Sequence, residues 1–235
     1  MGVDICQYGN HKINFTGRDI NEVAEEIKNK LNSLKLVNID YLKVLMNLWD
    51  SASIMPPEIL KKNVKEGIYK ELTDEEWNWK YDIINDDGYQ FIRFIGFRGF
   101  ELEFSKDKIY FWEPPYRFMS WFYMDSITRD EWRKYMLQII LLFGGDRAIY
   151  LPDNMRDSEK YLDEHDGIDS PFEEIENELI EEYGINNFTF ETVKEDDEIL
   201  YYIDDFNNLI LENKISINDF KDYLWKEAEE EINSR

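Results

Sequence analysis

Across residues 77–153 the spacing of apolar positions changes from a strand period to a helix period and back. Trp77-Asn78-Trp79-Lys80-Tyr81-Asp82-Ile83 alternates large apolar and polar side chains, the two-residue repeat of a half-buried strand, which places Trp77, Trp79, Tyr81 and Ile83 on one face. Asn85-Asp86-Asp87-Gly88 groups residues that tolerate positive φ, and residues 89–97 suit a pleated surface, so the two runs predict a hairpin. Gly99 permits another reversal. Phe100, Leu102 and Phe104 then alternate with Glu101 and Glu103, and residues 105–108 turn the chain into Ile109-Tyr110-Phe111-Trp112. The expectation is a four-stranded antiparallel meander over about 77–112. Leu72-Thr73-Asp74-Glu75-Glu76-Trp77 fits a capping box with a hydrophobic staple, so a helical turn competes with the first strand.

Residues 129–143 carry the helix period. Trp132, Tyr135, Met136, Ile139, Ile140 and Phe143 fall on one face, and Leu137, Leu141 and Leu142 widen the apolar sector of the second half. Thr128 with Glu131 marks a capped start, Ile127 can staple onto Trp132, and Gly144 marks the stop. A strand-like segment at 148–151 follows.

Upstream, residues 5–15 read as two short strands turning at Gly9-Asn10. Asp19 and Glu22 cap a helix striped by Ile20, Val23, Ala24, Ile27, Leu31 and Leu34; Ile39, Leu42, Leu45, Met46 and Trp49 suggest a second, so helices are expected over about 19–50. Downstream, residues 154–170 are polar and acidic and read as a linker or loop. Ser170-Pro171-Phe172-Glu173 opens a helix striped by Phe172, Ile175, Leu179, Ile180 and Tyr183 and stopped by Gly184. Residues 188–193 and 199–203 read as a hairpin around Lys194 to Glu198, with two further helical stretches to the end. The fold class is therefore α+β: an antiparallel meander packed against a central amphipathic helix, with flanking N-terminal helices and an acidic α/β C-terminal part. The organisation is a core at 1–153, a linker at 154–170 and a C-terminal subdomain at 171–235, either separate or packed on the core.

Composition changes this picture mainly through charge. The chain has 51 acidic and 27 basic residues, a formal net charge of −24. Residues 154–235 hold 26 acids against 7 bases, net −19, whereas residues 1–153 are net −5. A field of that sign repels phosphate backbones and anionic bilayers, so nucleic acid and membrane are not expected partners. With 43% hydrophobic and 16% aromatic residues, a packed core is expected despite the charge. One cysteine, Cys6, excludes an internal disulfide, and with no leader or long apolar span in the sequence the cytoplasm is the expected compartment.

Few residues fall in a pattern that carries chemistry. His11 and His165 lack ligand-spaced partners, and the acidic loop Asp163-Glu164-His165-Asp166-Gly167 puts Leu162 at the first position of a calcium loop, so no metal or cofactor is expected. Glu101 and Glu103 share a strand face, but among 51 acids such pairs arise by chance. Gly144-Gly145 follows a helix rather than opening one, which suits a helix stop better than a phosphate cradle. Cys6 with His11 suggests a nucleophile and base only if the fold brings them together. The expectation is an interaction protein, an inhibitor or immunity-type molecule that binds a basic protein partner through acidic turns. Asp86, Asp87, Asp146, Asp196 and Asp197 are the candidate contacts. The alternative is a carboxylate-using enzyme or carbohydrate-like ligand binder.

Overall fold

The computed structural model describes residues 5–34, 78–86, 89–96, 100–112, 126–152, 170–185 and 201–207. The described elements form a mixed α+β fold: one seven-stranded antiparallel sheet and three helices. In chain order they are β1 (Ile5–Asn10), α1 (Ile20–Ser33), β2 (Lys80–Asp86), β3 (Tyr89–Ile95), β4 (Glu101–Phe104), β5 (Lys108–Phe111), α2 (Ser126–Leu142), β6 (Arg147–Pro152), α3 (Phe172–Tyr183) and β7 (Tyr202–Asp205). The strand order is β2-β3-β4-β5-β1-β6-β7. The meander expected over 77–112 is β2 to β5, in the registers Ile83↔Ile92, Phe94↔Leu102 and Leu102↔Phe111. Asp86 pairs with Tyr89, so the two strands of the first hairpin are separated in sequence only by Asp87 and Gly88.

The N-terminal segment departs from the sequence expectation. Gly9-Asn10 is not a turn: both belong to β1, which lies in the sheet interior, where Gly9 pairs with Ile109 on one side and Ala148 on the other. The glycine is explained by packing. A Cβ there would stand 2.4 Å from Ile140 Cδ1, so the side chain of α2 presses directly on the strand backbone.

Because side chains alternate along each strand, the sheet has two distinct faces. On the first, Ile92, Phe94, Leu102, Phe104, Ile109 and Phe111 are buried under α1 and α2. Phe104 meets Phe143 edge-on at 4.9 Å and Phe94 at 5.5 Å, and Phe111 meets Tyr135 at 6.0 Å. Helix α1 is capped by Asp19, which accepts from the Asn21 amide, and buries Val23, Ala24, Ile27 and Leu31. It is tied to β2 through Tyr81 Oη donating to Glu25 at 3.0 Å and the Trp79 amide donating to Asn32 at 2.8 Å.

Helix α2 begins at Ser126, three residues before the expected start, so Thr128 lies inside it rather than at its cap. Its end agrees with the sequence. Gly144 takes φ +79, its amide donates to Leu141 O and that of Gly145 to Ile140 O, the paired bonds of a Schellman stop. Gly145 must also be glycine, since a Cβ would fall 2.0 Å from Asn10 O. Asn10 completes this corner: its Oδ1 accepts from the amides of Asp146 and Arg147, and its Nδ2 donates to Asp146.

On the second face α3 covers β1, β6 and β7. Phe172, Ile175 and Leu179 pack with Tyr8, Ile149, Leu151, Tyr201 and Ile203. The C-terminal segment thus contributes its edge strand to the same sheet as the N-terminal one: β7 pairs with β6 through Ile203↔Ile149. The capping box at 72–77, the helix expected near 39–49, the strand expected at 188–193 and the helical stretches expected after 207 lie outside the described residues.

Candidate functional site

Alternating strand directions bring several connections to one end of the sheet: the exits of β1, β2, β4 and β7, the α2 stop and the start of α3. The acidic helix α3 is anchored there. Its first free amide, that of Phe172, donates to Asp107 Oδ2 at 2.8 Å, so a carboxylate from the β4–β5 turn caps the helix. Ser170, the expected cap, makes no such bond; its carbonyl instead accepts from Lys108 Nζ at 2.7 Å. The Lys108 ammonium also lies 5.6 Å above the Tyr8 ring. The sequence placed the start of α3 correctly but could not supply a cap that comes from 65 residues away.

Arg147 ties the first two turns of α3 to β6. Its guanidinium pairs with Glu176, approaches Glu173 at 3.8 Å and Asp146 at 3.7 Å, and stacks over Phe172. Glu176 faces inward and is buried, and burial raises its pKa against the opposing pull of Arg147. The outer surface of α3 differs: Glu173, Glu174, Glu178, Glu181 and Glu182 are all exposed, and the helix has no basic residue.

Two further polar clusters are buried. Between α2 and the β6–β7 edge, Arg133 grips Asp204 through two bonds of 2.8 and 2.7 Å, and Tyr150 Oη donates to the same carboxylate at 2.8 Å. Both charged side chains are 4% exposed. On the second face, Glu103 is buried and paired to Arg93 at 2.7 Å; burial raises its pKa and Arg93 opposes the shift. The Glu101 and Glu103 strand face therefore holds one half-buried carboxylate and one already neutralised by an arginine, a poor arrangement for paired acid and base.

Of the five aspartates expected to meet a partner, Asp86 ends β2 and Asp146 precedes β6, at the same end of the sheet but five strands apart, about 24 Å. Asp146 is committed to the corner described above. Hydrogen bonding from Asn10 holds its carboxyl below the usual range. Asp87, Asp196 and Asp197 lie outside the described residues, as do residues 163–167 of the acidic loop. Among the described residues no three histidine, cysteine, aspartate or glutamate side chains gather as a metal-holding group, and no helix is long and apolar enough to cross a membrane.

The fold separates Cys6 from His11: they stand near opposite ends of β1, five residues or about 17 Å apart. Cys6 Sγ contacts Tyr110 Oη at 3.4 Å, whereas His11 contacts Ser105 O. The residues that sequence reasoning missed are Asn10, Asp107, Arg133 and Asp204. Only Arg133 left a trace. It lies three residues before Met136 and seven before Ile140, a charge on the apolar stripe of α2.

No family model matches the chain, and neither the curated proteins nor the solved structures include one similar to it at a significant level.

Proposed function

We propose that this chain is an interaction protein of the cytoplasm, an inhibitor or immunity-type molecule, that binds a basic protein partner. The observation that carries the reading is the outer surface of α3: five exposed glutamates, no lysine or arginine in the helix, and a chain whose net charge is −24. Like charges on one rigid element cost self-repulsion, and an oppositely charged partner relieves it while being drawn in by the field. Anchors at the start of α3 hold that surface in a fixed orientation, which reduces the ordering cost of binding.

Affinity capture with the full chain at low salt, followed by mass spectrometry and association kinetics, tests the reading. The captured protein is expected to be basic. Its association rate should fall steeply between about 0.05 and 0.5 M salt as the Debye length shrinks. Glu174→Gln with Glu181→Gln should slow association while leaving thermal stability within about 0.5 kcal/mol of the parent. Capture of acidic proteins only, or a rate indifferent to salt, overturns it.

A further inference from the structure

His11 is the one buried histidine among the described residues, and both of its ring nitrogens are engaged. Nδ1 accepts from the Ile13 amide at 3.1 Å, which leaves Nε2 to carry the proton and donate to Ser105 O at 3.0 Å. That pattern defines a neutral ring of fixed tautomer. Ser105 opens the short turn between β4 and β5, which is closed by the Ser105 amide donating to Lys108 O and joined to β1 by the His11 amide donating to Asp107 O. The same turn supplies the two groups that hold the start of α3: the Asp107 carboxylate on the Phe172 amide and the Lys108 ammonium on Ser170 O.

We infer that His11 makes the seating of the acidic helix α3 sensitive to pH. A second proton on the ring turns Nδ1 from an acceptor into a donor facing the Ile13 N–H. The imidazolium cannot keep both of its contacts. The ring must shift, releasing either Ile13 or Ser105. The new charge also attracts Asp107, the acidic group that acts on it most closely, away from the Phe172 amide it caps. Either movement weakens the first turn of α3.

Among the described residues, the remaining surroundings of His11 offer no other sink for the charge. The rings of Phe15 and Phe104, each 5.8 Å away, form its walls, and Lys108 reaches it only through the main chain. Burial holds the imidazole below its ordinary value of about 6.5, with Ser105 and Asp107 opposing. The sign follows from linkage: the released state takes up the proton first, so the restraint is complete above about pH 6.5 and is lost as pH falls toward the folded-state value. Other groups at the start of α3 titrate as well. Glu176 has its pKa raised and is paired with Arg147, and Glu173 and Asp146 lie near the same guanidinium, so the effect of His11 has to be separated from theirs.

Nuclear magnetic resonance titration of the full chain makes that separation. The Phe172 amide, shifted downfield by its bond to Asp107, should move upfield on acidification with the same midpoint as the His11 imidazole. A His165→Gln chain assigns the two imidazoles. In His11→Gln, whose neutral amide can donate to Ser105 and accept from Ile13, the Phe172 amide should stay in place until the carboxylate range is reached. A Phe172 midpoint in the carboxylate range in the parent, or an unchanged Phe172 titration in His11→Gln, overturns the inference. If His11→Gln does not fold, agreement or disagreement of the two midpoints in the parent decides.

Discussion

Helices α2 and α3 press on opposite faces of the same strand, β1, and are held there by different means. α2 buries Tyr135, Met136, Ile139 and Ile140, and its deeply buried Arg133 is engaged by Asp204 through two bonds. α3 buries four side chains, one of them a glutamate, and exposes five glutamates. The first is seated by volume. The second has a narrow stripe whose position depends on polar ties at one end: Asp107, Lys108 and Arg147. A broad apolar sector tolerates no surface chemistry, whereas a narrow one frees most of a helix for it.

The strongest way to break that contrast is to disturb the buried pair under α2. Arg133→Met strands the Asp204 carboxylate with only the Tyr150 hydroxyl and should destabilise by about 3–5 kcal/mol in urea unfolding. Changing both partners, with Asp204→Leu added, should recover much of the loss, because no uncompensated charge then remains. Full loss in the double variant would mean that the pair is itself a large net stabiliser.

Next in size is the contact of α2 with β1. Ile140→Ala removes a fully buried side chain and should cost about 2–5 kcal/mol through the cavity it leaves. Gly9→Ala overfills the same place and should cost about 1–3 kcal/mol. Combining Gly9→Ala with Ile140→Val should cost less than the two single changes added together. Strict additivity would show that the two residues do not share one space.

The smallest effect sharpens the account of α3. Asp107→Ala should destabilise by about 1 kcal/mol through loss of the cap, read as a lower denaturation midpoint. Ser170→Ala should stay within about 0.5 kcal/mol, since its hydroxyl makes no capping bond. The reverse order would restore the local cap that the sequence suggests.

Much of the fold is legible because its signals are local. The meander follows from alternation around Asp87-Gly88 and at Phe100 to Phe104, and α1 from Asp19 and its stripe. The stop of α2 at Gly144 follows from a residue that takes positive φ without a Cβ clash. β1 is not legible. It is short, contains Gly9, and owes that glycine to Ile140, which is remote in sequence. The anchoring of α3 is hidden for the same reason, since Asp107 and Arg147 reach it from other elements and a pattern of neighbours cannot register them. The candidate aspartates show a related limit. Asp146 has the exposed composition of a binding turn, yet its amide and carboxylate are both taken up by Asn10.

β1 is the only described strand that joins β2–β5 to β6–β7. Among the described strands it comes first in the chain, but its partners are β5, about a hundred residues later, and β6, about forty later still. The sheet therefore cannot be closed by adding strands in the order they are synthesised. Residues 5–10 have to be kept available until residue 152 has been made, and only then can both edges of β1 be filled.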